Sequence, residues 1–290
     1  MTLHCTKVDI PGVQPPIRTN HSSAYCDGKM LIYGGNGDSK YRDCLDDVWV
    51  LNTLDTAGMT WSKPETTGDR PGPRCHHTIN MVQGKLWLFG GWTGKRRCNF
   101  LHTLDVTTWE WTDCTSRMSS IDTHSSHASA VMDDRTILVI GRGETGTHAK
   151  YGCNVDYLDT RTLKWTTNPG SMISRAGHSV TFMPSISTRY AFVYGGRQRH
   201  ETEHIVCNIK QPLPSLFSSS LPKSMLENAK RVEEPTGRSY HSDVNVDGVV
   251  FIYGGFIQGK SVRGLTDGVN ELYLYSGRTS QWLVPEMKGE

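Results

Sequence analysis

The stretch Leu86-Trp-Leu-Phe-Gly-Gly91, an apolar run that ends in two glycines, recurs along this chain of 290 residues. The first glycines of the five copies are Gly34, Gly90, Gly141, Gly195 and Gly254, which are 56, 51, 54 and 59 residues apart. A second β-rich run follows each copy, and in four copies a tryptophan comes later: Trp61, Trp111, Trp165 and Trp282. Regular spacing of this length predicts a repeat of four short strands separated by Gly, Pro and Asp turns.

A four-stranded repeat cannot bury both of its faces alone, so neighbouring repeats must stack around a channel. We therefore predict an all-β fold, a β-propeller with five visible blades at about residues 10–65, 66–115, 116–168, 169–235 and 236–290. A Pro/Ser-rich insertion at 211–230 precedes an outer strand of the fourth blade at 231–234, and residues 3–9 form an additional outer strand. The sequence leaves open whether five blades close the ring or one blade is missing.

The composition excludes several classes of protein. The 31 Lys+Arg and 29 Asp+Glu leave a net charge of +2, without the basic excess of a nucleic-acid binder. No run approaches the roughly 20 apolar residues of a membrane helix, and residues 1–10 are too polar for a signal peptide. Eight cysteines without a C-x-x-C pair favour reduced thiols over a zinc site. We expect a cytoplasmic or nuclear protein.

Each repeat also carries a histidine before its apolar run and a basic side chain three residues earlier. The histidines are His21, His77, His127, His178 and His241, and the basic residues are Arg18, Arg74, His124, Arg175 and Arg238. Because each histidine has the same place in its repeat, we expect hydrogen bonds within the blade and no metal. The chain contains no nucleophile elbow and no phosphate-binding glycine loop, so we expect neither catalysis nor a cofactor.

The glycine pairs, the later tryptophan and the period resemble the Kelch-repeat family over nearly all of residues 1–290. Residues 60–68, Pro73-Arg74 and 101–111 are similar to the Kelch-domain substrate receptors of cullin–RING ubiquitin ligases, which recognise C-terminal diglycine degrons. This resemblance implies that Arg97 and Ser125 hold a terminal carboxylate, with Trp92 in place of a first arginine. Residues 205–221 resemble the receptor tail that docks an elongin adaptor, and a plain flexible loop is the alternative.

In a propeller, the loop after the second strand of each blade and the segment before the first strand open on one face. The residues at these places are mostly basic: Arg18, Arg74, Trp92, Lys95, Arg96, Arg97, His124, Ser125, Arg142, Arg175, Arg197, Arg199 and Arg238. Guanidinium groups bind carboxylates through two hydrogen bonds, so the pattern favours a protein or peptide ligand with a free C-terminal carboxylate. The alternative is that the repeat arginines pair with carbonyls or acidic neighbours inside their own blades.

From this set we predict a ligand site at Trp92, Arg97, Ser125, Arg142, Arg197 and Arg238. The predicted function is a non-catalytic, protein-binding propeller that serves as substrate receptor of a cullin–RING ubiquitin ligase and contacts an elongin or cullin adaptor. A Kelch scaffold or cytoskeletal adaptor is the alternative, and a propeller enzyme comes third.

Overall fold

A computed structural model describes most of the chain. The described segments are residues 2–4, 7–37, 43–54, 58–142, 152–168, 175–184, 189–197, 205–209, 229–262 and 265–288. Within them the chain is built of β-strands, with one short 3-10 helix at Thr115–Arg117. The prediction of an all-β fold is confirmed.

The strands are numbered in chain order. Those up to residue 168 are β1 (Thr2–His4), β2 (Ser22–Cys26), β3 (Lys29–Tyr33), β4 (Val48–Asn52), β5 (Thr60–Ser62), β6 (Thr67–Gly68), β7 (Thr78–Val82), β8 (Lys85–Phe89), β9 (Leu101–Asp105), β10 (Glu110–Asp113), β11 (Ala128–Val131), β12 (Thr136–Arg142), β13 (Gly152–Asp159) and β14 (Lys164–Asn168). The later strands are β15 (Ala176–Pro184), β16 (Arg189–Arg197), β17 (Ile205–Ile209), β18 (Lys230–Val232), β19 (Arg238–Ser239), β20 (Ser242–Val246), β21 (Val249–Tyr253), β22 (Phe256–Val262), β23 (Leu265–Gly268), β24 (Leu272–Ser276), β25 (Gln281–Val284) and β26 (Glu286–Lys288).

The chain divides into two compact units, and residues 9–176 form one of them. This unit holds three blades, the first with the strand order β2-β3-β4-β5 and the third with the order β11-β12-β13-β14. The second blade has the order β6-β10-β9-β8-β7, in which the two-residue strand β6 lies parallel to β10. The first strands of successive blades are neighbours, since β2 packs beside β7 and β7 beside β11.

Two-residue turns set the register of the first hairpin in several blades. At Gln83-Gly84, between β7 and β8, both residues have positive φ angles of 50° and 72°. This is the type I′ geometry whose twist matches that of paired strands, and glycine adopts it at little cost. The turn pairs Val82 with Lys85, which places Leu86 and Leu88 in the core and ends β8 at the glycine pair.

Residues 1–8 and 177–290 form the other unit. Its sheets have the strand orders β15-β16-β17, β18-β25-β24-β21-β20 and β19-β22-β23, and β1 pairs in parallel with β26. A strand is therefore present at Thr2–His4, but residues 7–9 of the outer strand predicted at 3–9 lie outside any strand. The insertion predicted at 211–230 lies almost entirely outside the described residues, since 210–228 are not among them.

The predicted outer strand of the fourth blade is wrong. Lys230–Val232 pairs with β25, so this segment extends the last sheet, and within the described residues the sheet of β15, β16 and β17 has three strands. The segment that enters the second blade behaves similarly, because β6 runs along the outer strand β10 of the blade it leads into. In both cases the entering chain satisfies the otherwise open edge of its own blade.

The hydrophobic core lies between neighbouring blades. Trp111 of the second blade is buried against Tyr33 of the first, with 5.3 Å between their ring centroids. Trp165 packs in the same way on Phe89 at 4.6 Å, and Trp282 on Tyr194 at 5.1 Å. These three tryptophans join neighbouring blades, and burial of such a ring is a large contribution to stability.

Candidate ligand-binding site at the mouth of the second blade

The glycine pair after β8 joins the second blade to the third. Gly90 and Gly91 have φ angles of 67° and 101°, a region that side chains disfavour. The amide of Gly91 donates to the carbonyl of His124 at 2.8 Å, and a β-carbon on Gly90 would lie 2.8 Å from the same oxygen. The chain therefore turns sharply against the next blade. We use the term blade-2 mouth for the loop that follows, residues 92–99, together with residues 124–125.

Two of the repeat histidines form hydrogen bonds between blades. The Nε2 of His127 lies 2.8 Å from the hydroxyl of Thr78, and the Nε2 of His241 lies 2.8 Å from that of Ser179. In each pair the hydroxyl belongs to the first strand of the preceding blade, so for His127 and His241 the prediction of a partner within the same blade is wrong. The histidine lies over the first glycine of the preceding pair, which places its ring at the boundary between blades.

His77 and His241 are held neutral. Burial, followed by the charge of Arg238, lowers the pKa of His241 to about 4. Burial and then the charge of Arg74 lower the pKa of His77 well below its usual range. Among the described residues no group of three or more His, Cys, Asp or Glu side chains could hold a metal ion.

Three of the repeat basic residues pair with acidic side chains of their own blades. Arg18 donates to both carboxylate oxygens of Asp47, at 2.7 and 3.2 Å. Arg238 lies 3.0 Å from Glu271, and the ring of His124 lies 3.2 Å from Asp156. These three residues therefore follow the alternative expected from the sequence, in which the basic side chains pair with acidic neighbours inside their own blades.

Arg74 in the second blade differs. Backbone hydrogen bonds identify equivalent positions in the three blades. The amides of Gly34 and Gly254 donate to the main-chain carbonyls of Asp47 and Glu271, whereas the amide of Gly90 donates to the carbonyl of Phe100. Phe100 thus replaces the carboxylate. The Arg74 side chain is 1% exposed, and its donors reach the carbonyl oxygens of Pro71, Gly72 and Gly90. Within the described part of the chain, no acidic side chain lies at ion-pair distance from it.

The charge of Arg74 is therefore neutralised less than those of Arg18 and Arg238. The Phe100 ring lies 6.0 Å from the Arg74 guanidinium and 5.8 Å from that of Arg96, so two cations contact one aromatic ring. Burial, and after it the charge of Arg74, lowers the pKa of His102 to about 4. Two guanidinium groups, those of Arg74 and Arg96, are therefore placed beside each other at the blade-2 mouth.

The blade-2 mouth has a tight backbone. Trp92 pairs with Arg97, and the Thr93 amide and hydroxyl lie 3.0 and 3.1 Å from the carbonyl of Arg96. Cys98 pairs with His124 in antiparallel fashion, so Arg97 lies opposite Ser125 across the two blades. Trp92 and Arg97 are half-buried, whereas Ser125 is only 4% exposed. The backbone brings these three predicted residues together, with the serine mostly covered.

The remaining predicted site residues do not join them. Arg238 is 1% exposed and bonded inside its own blade, so it does not offer its guanidinium to a ligand. Arg142 and Arg197 end β12 and β16, and their side chains lie outside the described part of the structure. Cys44 and Cys75, which were not among the predicted site residues, meet at the equivalent place one blade earlier. Their positions within the repeat could have indicated that the two thiols lie close together.

A search for membrane-crossing helices within the described segments finds none of sufficient length and apolarity. Residues 1–196 match the model of the KLHDC2/KLHL20/DRC7 Kelch-repeats domain. The chain therefore belongs to the Kelch-repeat family, whose members are β-propellers of four-stranded blades, and this confirms the propeller fold.

Several characterised proteins are similar to the chain. Acyl-CoA-binding domain-containing protein 4 of Arabidopsis thaliana is 30% identical over 205 residues, which cover 69% of this chain and 29% of that protein. Host cell factor 2 of Homo sapiens is 33% identical over 129 residues, 42% of this chain and 15% of that protein. Kelch domain-containing protein 2 of Bos taurus is 31% identical over 131 residues, 38% of this chain and 32% of that protein. The chain thus matches less than a third of each of these three relatives.

Proposed function

We propose that this protein-binding propeller captures a peptide with a free carboxylate at the blade-2 mouth. The observation that carries the proposal is Arg74, a buried cation whose blade has Phe100 where the first and last blades have an acid. A bound carboxylate would supply the missing negative charge at the surface above it. Arg97, half-buried on the same loop, would donate the hydrogen bonds.

Trp92 would shape the peptide preference. It occupies the first position after Gly91 and pairs with Arg97 through its backbone. An indole offers an apolar wall where a second guanidinium would offer two more donors. We therefore expect weaker capture of the carboxylate and a larger apolar contribution than in receptors with two arginines.

We further propose that the propeller is the substrate receptor of a cullin–RING ubiquitin ligase in the cytoplasm or nucleus. The support is the similarity of residues 60–68, 73–74 and 101–111 to such receptors, together with membership of the matched Kelch-repeat family. The segment proposed to dock an elongin adaptor, 205–230, is described only at residues 205–209 and 229–230. Co-purification of elongin and cullin with the full chain tests this role without knowledge of the substrate.

Calorimetry with a peptide library that carries free or amidated C-termini tests the carboxylate site. Loss of one charged hydrogen bond costs roughly 1.5–3 kcal/mol, so Arg97→Ala should weaken a free-carboxylate peptide by about tenfold to a hundredfold. Lys95→Ala is the matched control, because it removes the same charge from an exposed position of the same turn and should change affinity much less. If amidation has no effect on any peptide that binds, the proposed carboxylate site is wrong.

A scaffold remains the second candidate function. It is favoured by a cleft of about 510 Å³ at the end of β7 and β8 opposite the blade-2 mouth. Val82 and Lys85, at the turn between β7 and β8, line the cleft together with Arg117 and Leu163. Trp87 also lines it, and its buried Nε1 has no hydrogen-bond partner among the described residues. A partner with an accepting oxygen could satisfy this donor. If Trp87→Phe abolishes binding of a protein partner and Arg97→Ala retains it, the result would support the scaffold function.

A further inference from the structure

Two thiols meet at the boundary between the first and second blades. The Sγ atoms of Cys44 and Cys75 lie 3.3 Å apart, and both residues are free cysteines. Cys44 precedes β4 of the first blade, and Cys75 precedes β7 of the second. The two segments are held together by the main chain, because the amide of Arg74 donates to the carbonyl of Leu45 at 3.1 Å.

The pair occupies a defined position in the repeat. Asn36 pairs with Cys44 as Trp92 pairs with Arg97, so Cys44 is the first-blade equivalent of Arg97. Cys75 follows the repeat basic residue as Ser125 does. The boundary that carries an arginine and a serine after the second blade therefore carries two thiols after the first. With 3.3 Å between the two sulfur atoms, a small movement brings them to the roughly 2 Å length of a disulfide bond.

We propose that Cys44 and Cys75 form a redox-active dithiol that closes to a disulfide between the first and second blades when a hydroperoxide reaches it. The thiolate of Cys44 attacks the terminal oxygen of the hydroperoxide, the O–O bond breaks, and Cys44 becomes a sulfenic acid as an alkoxide, or hydroxide from hydrogen peroxide, leaves and takes up a proton. The thiol of Cys75 then attacks that sulfur, the S–O bond breaks and water leaves. In total, two thiols and one hydroperoxide yield a disulfide, one alcohol or water, and one water.

The surroundings assign the two thiols different roles. Cys44 is half-buried and can meet a dissolved oxidant, whereas Cys75 is 1% exposed. The hydrogen bond between the two thiols lowers the pKa of Cys44, although burial and the charge of Asp43 oppose it, and the charge of Arg74 contributes in the same direction. The pKa of Cys75 is raised by the same contact and by burial. Cys44 is accordingly the attacking thiol and Cys75 the resolving one.

Closure has consequences for the neighbouring loop. Cys44 donates to the carbonyl of Trp92 at 3.5 Å, and the amide of Cys75 donates to the same oxygen at 3.0 Å. Oxidation removes the first of these donors and ties two blades covalently, so it should change the position of Trp92. This inference does not depend on the proposed function, since it concerns only the two sulfur atoms and their neighbours.

Peptide mapping of the peroxide-treated full chain tests the proposal. Trypsin leaves Cys44 in the peptide 43–74, because Lys63 and Arg70 precede prolines, and leaves Cys75 in the peptide 75–85. Without reductant we expect these peptides to be linked, about 2 Da lighter than their sum, and to separate after dithiothreitol. The oxidised chain should unfold at a temperature higher by about 5 °C.

Variants identify the order of the steps. In Cys75→Ser we expect a sulfenic acid at Cys44 that dimedone traps and no linked peptide. Cys26→Ser is the matched control: Cys26 is also half-buried, burial and Asp27 raise its pKa, and its loss should not affect the link. Wild-type Cys44 oxidised to sulfinic acid beside reduced Cys75, a link to Cys98, or Cys26 reacting first would each overturn the proposal, as would no reaction. The wild-type map requires no variant to fold.

Discussion

The replacement of Gly91 by alanine measures how much the glycine pair contributes to blade contact. Gly91 has a φ of 101°, and a β-carbon there would lie 2.8 Å from both the carbonyl oxygen of Cys75 and the Cβ of His77. Backbone strain of this kind costs about 1–3 kcal/mol. The overlap forces a backbone shift that adds roughly 1–3 kcal/mol, and the hydrogen bond from Gly91 to His124 weakens with it. We expect a loss of about 2–6 kcal/mol in the free energy of unfolding.

Gly84 supplies the matched control. It too has a positive φ, 72°, but a β-carbon there would meet nothing within 4 Å. Gly84→Ala therefore introduces backbone strain alone, and we expect a loss of about 1 kcal/mol. Urea unfolding followed by far-UV circular dichroism gives both values. Equal losses for the two variants would refute the argument, since they would mean that the contacts of Gly91 with the repeat histidine and the third blade add nothing.

Two further predictions concern the blade boundaries. Trp111→Ala should destabilise the protein by about 3–5 kcal/mol, because it empties a buried site against Tyr33; half-buried Trp61→Ala should cost much less, and similar melting temperatures would contradict the packing described. His241 should make stability depend on pH. Its pKa in the folded chain is lowered to about 4, so between about pH 6.5 and pH 4 the unfolded chain binds a proton that the folded chain does not bind. The contribution of neutral His241 to the free energy of unfolding is complete above pH 6.5, and it falls by about 1.4 kcal/mol per pH unit as the pH drops toward 4. His241→Gln should make this slope, measured by urea midpoints, shallower.

The repeat architecture could be predicted from the sequence because its signals are local. An apolar run that ends in glycines, as at 86–91, specifies a buried strand followed by a sharp turn wherever it occurs. Five copies at one period left stacked blades as the solution that buries their faces. The packing of Trp111 and Trp165 between blades followed from the same register, since a side chain at one repeat position must face the same neighbour each time.

Tertiary structure alone decided which residues meet across the blade boundaries. The partner of His127 is a hydroxyl of the preceding blade, 49 residues away, and no local pattern identifies it. Lys230–Val232 has the composition of an edge strand, but the choice of sheet depended on which edge was open where the chain passes. The pairing of Cys44 with Cys75 and the lack of an acid beside Arg74 likewise depend on register between strands of different blades. Sequence encodes the form of each blade, whereas the contacts between blades arise only when their backbones are brought side by side.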